Sequence, residues 1–86
     1  PDARMQDYFI ALCYDKLGEK DKASGLRVSM REYTLAHWDE GQPHGYFGAL
    51  VLEKLGRKED RFKARELFSR SAKPSAEILE IIKKLS

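Results

Sequence analysis

Apolar residues are unevenly spread along the 86 positions of this chain: they gather into two dense runs and three one-sided stripes. The first run, Phe9-Ile10-Ala11-Leu12-Cys13-Tyr14, has no polar side, and Tyr46 to Leu52 reads the same way. A segment of helical length that is apolar all round must be covered on more than one side, so each run predicts a helix held between other helices. Two of the stripes follow the runs. Ala23, Leu26, Met30, Tyr33 and His37 recur at spacings of three and four, as do Ala64, Leu67, Phe68, Ser71 and Ala72; both predict amphipathic helices with one buried face. The last stripe is Ile78, Leu79, Ile82 and Leu85. Pro74 and Ser75 mark its start, and Lys83 and Lys84 lie in its final turn, where positive charge suits the helix dipole. Gly18 and Gly56 close the dense runs where a helix places a left-handed residue, a conformation that costs a residue with a side chain about 1 kcal/mol or more. "WDEGQPHG" from Trp38 to Gly45, and "AKP" at 72–74, carry the Gly and Pro of turns. No stretch alternates with period two for long enough to compete, so the pattern predicts five helices and no strand.

The two dense runs are copies of one another. Laying Asp7 to Lys22 on Gly45 to Asp60, thirty-eight residues later, gives eight identities in sixteen: the Tyr-Phe pairs, then Ala, Leu, Lys, Leu, Gly and Lys. A helix pair written twice and followed by a helix that matches neither member is the grammar of a capped α-solenoid. The expected fold is therefore all-α: two antiparallel helix-turn-helix repeats, at 3–40 and 43–73, and a C-terminal capping helix at 74–86, in one domain.

At these positions the chain resembles the tetratricopeptide repeat family, whose pattern is W-x2-L-G-x2-Y, then A-x3-F, then P. Ile10 and Ala11 stand in the L-G slots, Tyr14 in the Tyr slot, and Ala23 in the small slot of the second helix. In the second copy Ala49 and Leu52 fill first-helix slots, and Ala64, Phe68 and Pro74 supply the rest. The chain departs from the pattern in four places. Asp7 replaces a large apolar residue, Arg27 stands where an aromatic is expected, "RKEDRFK" carries an insertion of three, and the period of thirty-eight exceeds the family's roughly 34. The resemblance implies a scaffold that binds protein or peptide, with the first helix of each hairpin lining a concave groove. Carried over residue by residue, it points Tyr8, Leu12, Asp15 and Lys16, and in the second copy Tyr46, Leu50, Glu53 and Lys54, into that groove. Tyr8, Leu12, Tyr46 and Leu50 would serve equally well to pack one hairpin against the next. Some members of the family grip a terminal carboxylate with lysine, asparagine and arginine. Tyrosine and leucine in these slots favour instead an apolar segment docking on aromatic anchors.

Composition narrows the function. Hydrophobic residues make up 42% and charged residues 35%, with a net charge of +2, and no apolar run approaches the roughly 18 to 20 residues that span a bilayer. Residues 1–40 carry six basic and eight acidic side chains and residues 41–86 ten and six, a mild asymmetry that demands no polyanionic partner. Arg57, Lys58, Arg61, Lys63, Arg65, Arg70 and Lys73 are interleaved with acids and lack an aromatic platform, which favours a solvated face over a nucleic-acid site. His37, Asp39, Glu40 and His44 fall within eight residues, but not at ligand spacing, so neither a metal nor another cofactor is expected. Cys13 reads as a small buried hydrophobe with no histidine at a readable spacing, and nothing pairs a nucleophile with an oriented base; no catalysis is expected. The chain opens at Pro1 without a signal-like segment, which points to a piece of something longer and leaves the compartment open. Two functions follow: a binding scaffold for a peptide or protein segment, or a structural cap and self-association element of a larger protein. In the second, Met5, Tyr8 and Phe9 lack a preceding hairpin to cover them and would pair the chain with a second copy through the first helix.

Overall fold

The repeat and its stop signals become helices where the pattern places them. A computed structural model of the chain describes residues 2–38 and 44–86. It contains α1 (Arg4–Lys16), α2 (Lys20–Ala36), α3 (Gly45–Leu55), α4 (Arg61–Arg70) and α5 (Ala76–Leu85), with a short 3-10 turn over Lys58–Asp60 and no strand among the described residues. Gly18 and Gly56 both adopt positive φ, 78° and 66°, so both helix stops rest on a conformation that glycine reaches without strain. Ser75 caps α5, its Oγ accepting from the Ile78 N–H at 3.3 Å. One boundary differs from the apolar periodicity. Ser71 is extended, with φ −99° and ψ 141°, so α4 ends at Arg70 and leaves Ser71 and Ala72 outside it.

α1 packs on α2 and α3 on α4, α2 joins the two hairpins through α3, and α1 reaches α3. This neighbour-by-neighbour order is that of a helical repeat. Small residues permit the close crossings: Ala11, Ala23 and Ala49 are fully buried and Ala64 nearly so. Gly48 serves the same end, because a methyl there would come within 2.6 Å of the Thr34 Oγ1 and 2.7 Å of the Arg4 Nη1. The central cluster, Ala49, Leu52, Ala64 and Leu67, lies in the second hairpin, with Leu35, Trp38 and Phe68 against it.

Both local departures from the repeat pattern in and after α2 hold ion pairs, the first part-buried and the second with its acid fully buried. Arg27, in the aromatic slot, is 7% exposed and donates hydrogen bonds to the Asp15 carboxylate at the end of α1. The inserted turn after Gly56 places Asp60, 1% exposed, where the Arg31 guanidinium meets it through Nε at 2.6 Å and Nη2 at 3.1 Å. α2 is thus tied by one arginine to α1 and by another to the turn before α4. These side chains replace aromatic packing with charge-assisted hydrogen bonds, which hold geometry more tightly than an apolar contact of the same area.

α1 is less enclosed than its apolar run predicts. Cys13 is exposed, Ile10 is 43% exposed and Leu17 is 74% exposed. At about 3.6 residues per turn these three share one stripe, on a side that no described helix covers closely. Tyr8 and Phe9 point elsewhere: their rings lie 5.6 Å and 6.2 Å from that of Phe47 on α3. The uncovered apolar face of α1 is therefore Ile10, Cys13 and Leu17, not Met5, Tyr8 and Phe9.

α5 caps the molecule from an unexpected side. Its main contacts are with α1, not with α4, which precedes it in the chain. The extended segment after Arg70 carries it back across the hairpins, and the radius of gyration, 12.2 Å, is close to the ~12 Å of a compact chain this long.

Candidate functional site

The groove residues inferred from the repeat occupy three settings. Tyr8, Leu12, Asp15 and Lys16 lie on one side of α1 and, with Lys54 of α3, line a cleft of about 550 Å³. The helical spacing 8, 12, 15, 16 explains the shared side, since residues three and four apart are neighbours. Leu12 is 7% exposed and Tyr8 half-buried, so they form the floor while Lys16 and Lys54 stand exposed at the rim. Glu53 lies outside that cleft. It lines another of about 350 Å³ between α3 and α4, beside Arg57, Arg61 and Arg65. Tyr46 and Leu50 are half-buried, and the Tyr46 ring packs edge-on to Phe68 of α4 at 5.3 Å.

Burial raises the pKa of the Tyr8 phenol; the Arg27 charge opposes this, while Tyr46 and Glu53 add to it. At the far end of the cleft, the hydrogen bond from Arg27, opposed by burial, holds the Asp15 carboxyl below the usual range, with Lys20 and Lys54 adding to the effect. Lys20 comes within 3.9 Å of the same carboxylate. Arg27 is thereby matched by Asp15, and the remaining positive charge at this end comes from Lys16, Lys20 and Lys54.

Three groups that line the cleft do not follow from the repeat slots. Arg27 was signalled only as a departure from the aromatic slot. Lys20 lies just after the Gly18 turn, where nothing in the pattern singles it out. Leu85, with Ser86 beside it, arrives from α5, and its place depends on where that helix folds back.

The other charged stretches are used differently. His37 donates through Nδ1 to the Tyr33 carbonyl at 2.9 Å and stacks on the Tyr33 ring at 4.0 Å. Asp39 and Glu40 lie outside the described residues, and among those described no group of three or more His, Cys, Asp and Glu is placed to hold a metal. Arg70 donates to the Trp38 carbonyl at 2.6 Å and covers its ring at 4.5 Å, and Lys63 lies 5.6 Å from the same ring. Phe62, 80% exposed, is an aromatic among these bases, with the Arg65 guanidinium 5.7 Å from its ring. Among the described residues no helix is long and apolar enough to cross a membrane. In comparison with known proteins, the chain matches no family model, no curated protein and no solved structure.

Proposed function

We propose that the chain is a non-catalytic protein-interaction scaffold of tetratricopeptide-repeat type, which receives a peptide or protein segment along the groove side of α1 and α3. The observation that carries this reading is the cleft itself: residues of both first helices, Tyr8, Leu12, Lys16 and Lys54, meet around one apolar floor with a charged rim. An apolar floor supplies affinity by burial, and a charged rim supplies orientation and rate. The test is to select peptides from a random library against the full chain and map them by amide chemical-shift changes. The expected map covers Tyr8, Lys16 and Lys54, and Lys54→Glu changes affinity while the melt stays in place. Binders that map to Ile10 and Leu26 on the opposite side, or no binders at all, overturn the reading.

One observation favours a second reading, self-association. Ile10, Cys13 and Leu17 are exposed together on α1, and Ile10 and Tyr14 border an open hollow of about 470 Å³ with Leu26 of α2. A second copy packed isologously through this face would cover it. Sedimentation at rising concentration decides this: dimers that Ile10→Glu abolishes support it, and a monomer throughout removes it.

A further inference from the structure

α5 is the most loosely held helix of the five. α1 to α4 each bury at least two residues, and α5 buries none. Its aliphatic residues Ile78, Leu79, Ile82 and Leu85 are only half-buried and Ile81 is 47% exposed. The hydrogen bonds made by its end residues are local, from the Ile78 N–H to Ser75 and from the Ser86 hydroxyl to the Ile82 carbonyl. Among the described residues no ion pair joins it to another helix. Yet it keeps a strong helical signal of its own: a serine cap, a one-sided apolar stripe and lysines in its last turn. A helix of that kind, resting on the groove side of another helix, is how amphipathic segments dock in grooves.

The fit is faulty in one respect. Leu85 and Ser86 enter the cleft whose rim carries Lys16, Lys20 and Lys54, and Lys83 and Lys84 immediately precede them in the same turn. The last turn of α5 therefore offers this rim two exposed lysines and no acidic side chain. Asp15 answers part of this charge, since it is shared between Arg27 and Lys20; among the described residues Lys16 and Lys54 make no ion pair. A basic last turn gains nothing from a basic rim, and acids in that turn would favour the docked state.

We infer that the groove's ligand is an amphipathic helix with aliphatic residues in the register of α5 and an acidic last turn, and that α5 holds the place of that ligand in cis. The inference rests on the proposed groove reading and names the ligand's class. A helix in trans with acids opposite Lys16, Lys20 and Lys54 displaces α5, whose own last turn is mismatched. α5 thus sets a threshold: only a helix with better charge complementarity opens the groove.

The test uses the full chain and two labelled peptides of residues 74–86, one with the parent sequence and one carrying Lys83→Glu and Lys84→Glu. Fluorescence anisotropy should show the acidic peptide binding about fivefold or more tighter than the parent at low salt, with the difference shrinking as salt rises. Ile82→Asp in the chain should loosen α5 and raise uptake of the acidic peptide about tenfold, as a fully occupied groove becomes free. Lys83→Glu with Lys84→Glu in the chain, both exposed positions, should do the reverse: slower amide exchange in α5 and weaker uptake. Equal binding of the two peptides, or uptake unchanged by either chain variant, overturns the inference. If library-selected peptides still map to Tyr8 and Lys54 while neither α5-derived peptide binds, the helix inference fails and the groove reading stands. If nothing binds there, both fail.

Discussion

α1 and α3 spell nearly the same letters and occupy different surroundings. Phe47 is 3% exposed and its counterpart Phe9 only half-buried; Val51 is fully buried and its counterpart Cys13 exposed. The fourth position of the first copy is an exposed Ile10, whereas the second copy has Gly48, with no room for a methyl. α3 is flanked by α2 and α4 and touched by α1, while α1 has α2 on one side and makes lighter contact with α3 and α5. The repeated letters fix helix and phase; the number of neighbours decides how much of each letter is buried. Ion pairing follows the same division. In the first hairpin Arg27 meets an Asp15 that is 24% exposed, and at the second hairpin Arg31 meets an Asp60 that is nearly inaccessible.

The sharpest way to break this comparison is to truncate the paired phenylalanines. Phe47→Ala should cost about 3 to 5 kcal/mol, as for large core residues, and Phe9→Ala less than half of that, both read from denaturant midpoints. Equal losses would mean that α1 is as enclosed as α3. Next come the acids. Asp60→Ala removes two charge-assisted hydrogen bonds from a buried site and should cost on the order of 2 to 3 kcal/mol; Asp15→Ala should cost clearly less, since water reaches its carboxylate.

At the stops the copies should behave alike. Gly18→Val and Gly56→Val each force a β-branched residue to positive φ and should each cost about 1 to 2 kcal/mol. A large difference between them would show that one stop is relieved by its surroundings. Acid titration has a smaller effect. Asp2 and Asp15 both hold pKa values below the usual range: burial raises that of Asp2, but the Arg4 hydrogen bonds outweigh it, and the Arg27 hydrogen bond lowers that of Asp15. A depressed folded-state pKa contributes stability above the unfolded value of about 3.9. That stability is lost as pH falls through 4 towards the folded value. Asp15→Asn should therefore flatten the loss below pH 4, and an unchanged acid limb would remove Asp15 from the account. The smallest effect is at Cys13. Cys13→Ser should change stability by no more than about 0.5 kcal/mol, and native Cys13 should react with a thiol reagent without denaturant. A protected thiol would return α1 to the enclosed state its apolar run predicts.

Helices, stops and the start of α5 were legible because their causes are local. Gly18, Gly56 and Ser75 act on the backbone beside them, and the apolar periods of α2 and α5 need only their own spacing. The burial of α1 was misread at Cys13 for a definite reason: an all-round apolar segment says that cover is wanted, not that it is present. The candidate site was legible only in part. Tyr8, Leu12, Asp15 and Lys16 fell together because one helix face holds them, and Lys54 joined them because the repeat is in phase. Tyr46, Leu50 and Glu53 occupy the same slots, yet α4 draws Tyr46 towards Phe68 and Glu53 towards another cleft.

By itself, then, the sequence determined five helices, the two glycine stops, the start of α5 and the antiparallel pairing of two hairpins, since hydrophobic period, glycine stops and short connections all act within one or two turns of chain; the end of α4 it placed two residues too late. Only the tertiary structure decided which face of α1 stays open, which arginines meet Asp15 and Asp60 across twelve and twenty-nine positions, and where α5 comes to rest. Those outcomes depend on contacts between residues far apart in the chain. An extended, proline-containing connection after Arg70 leaves the return of α5 to be settled by the surface it meets, and that surface is α1.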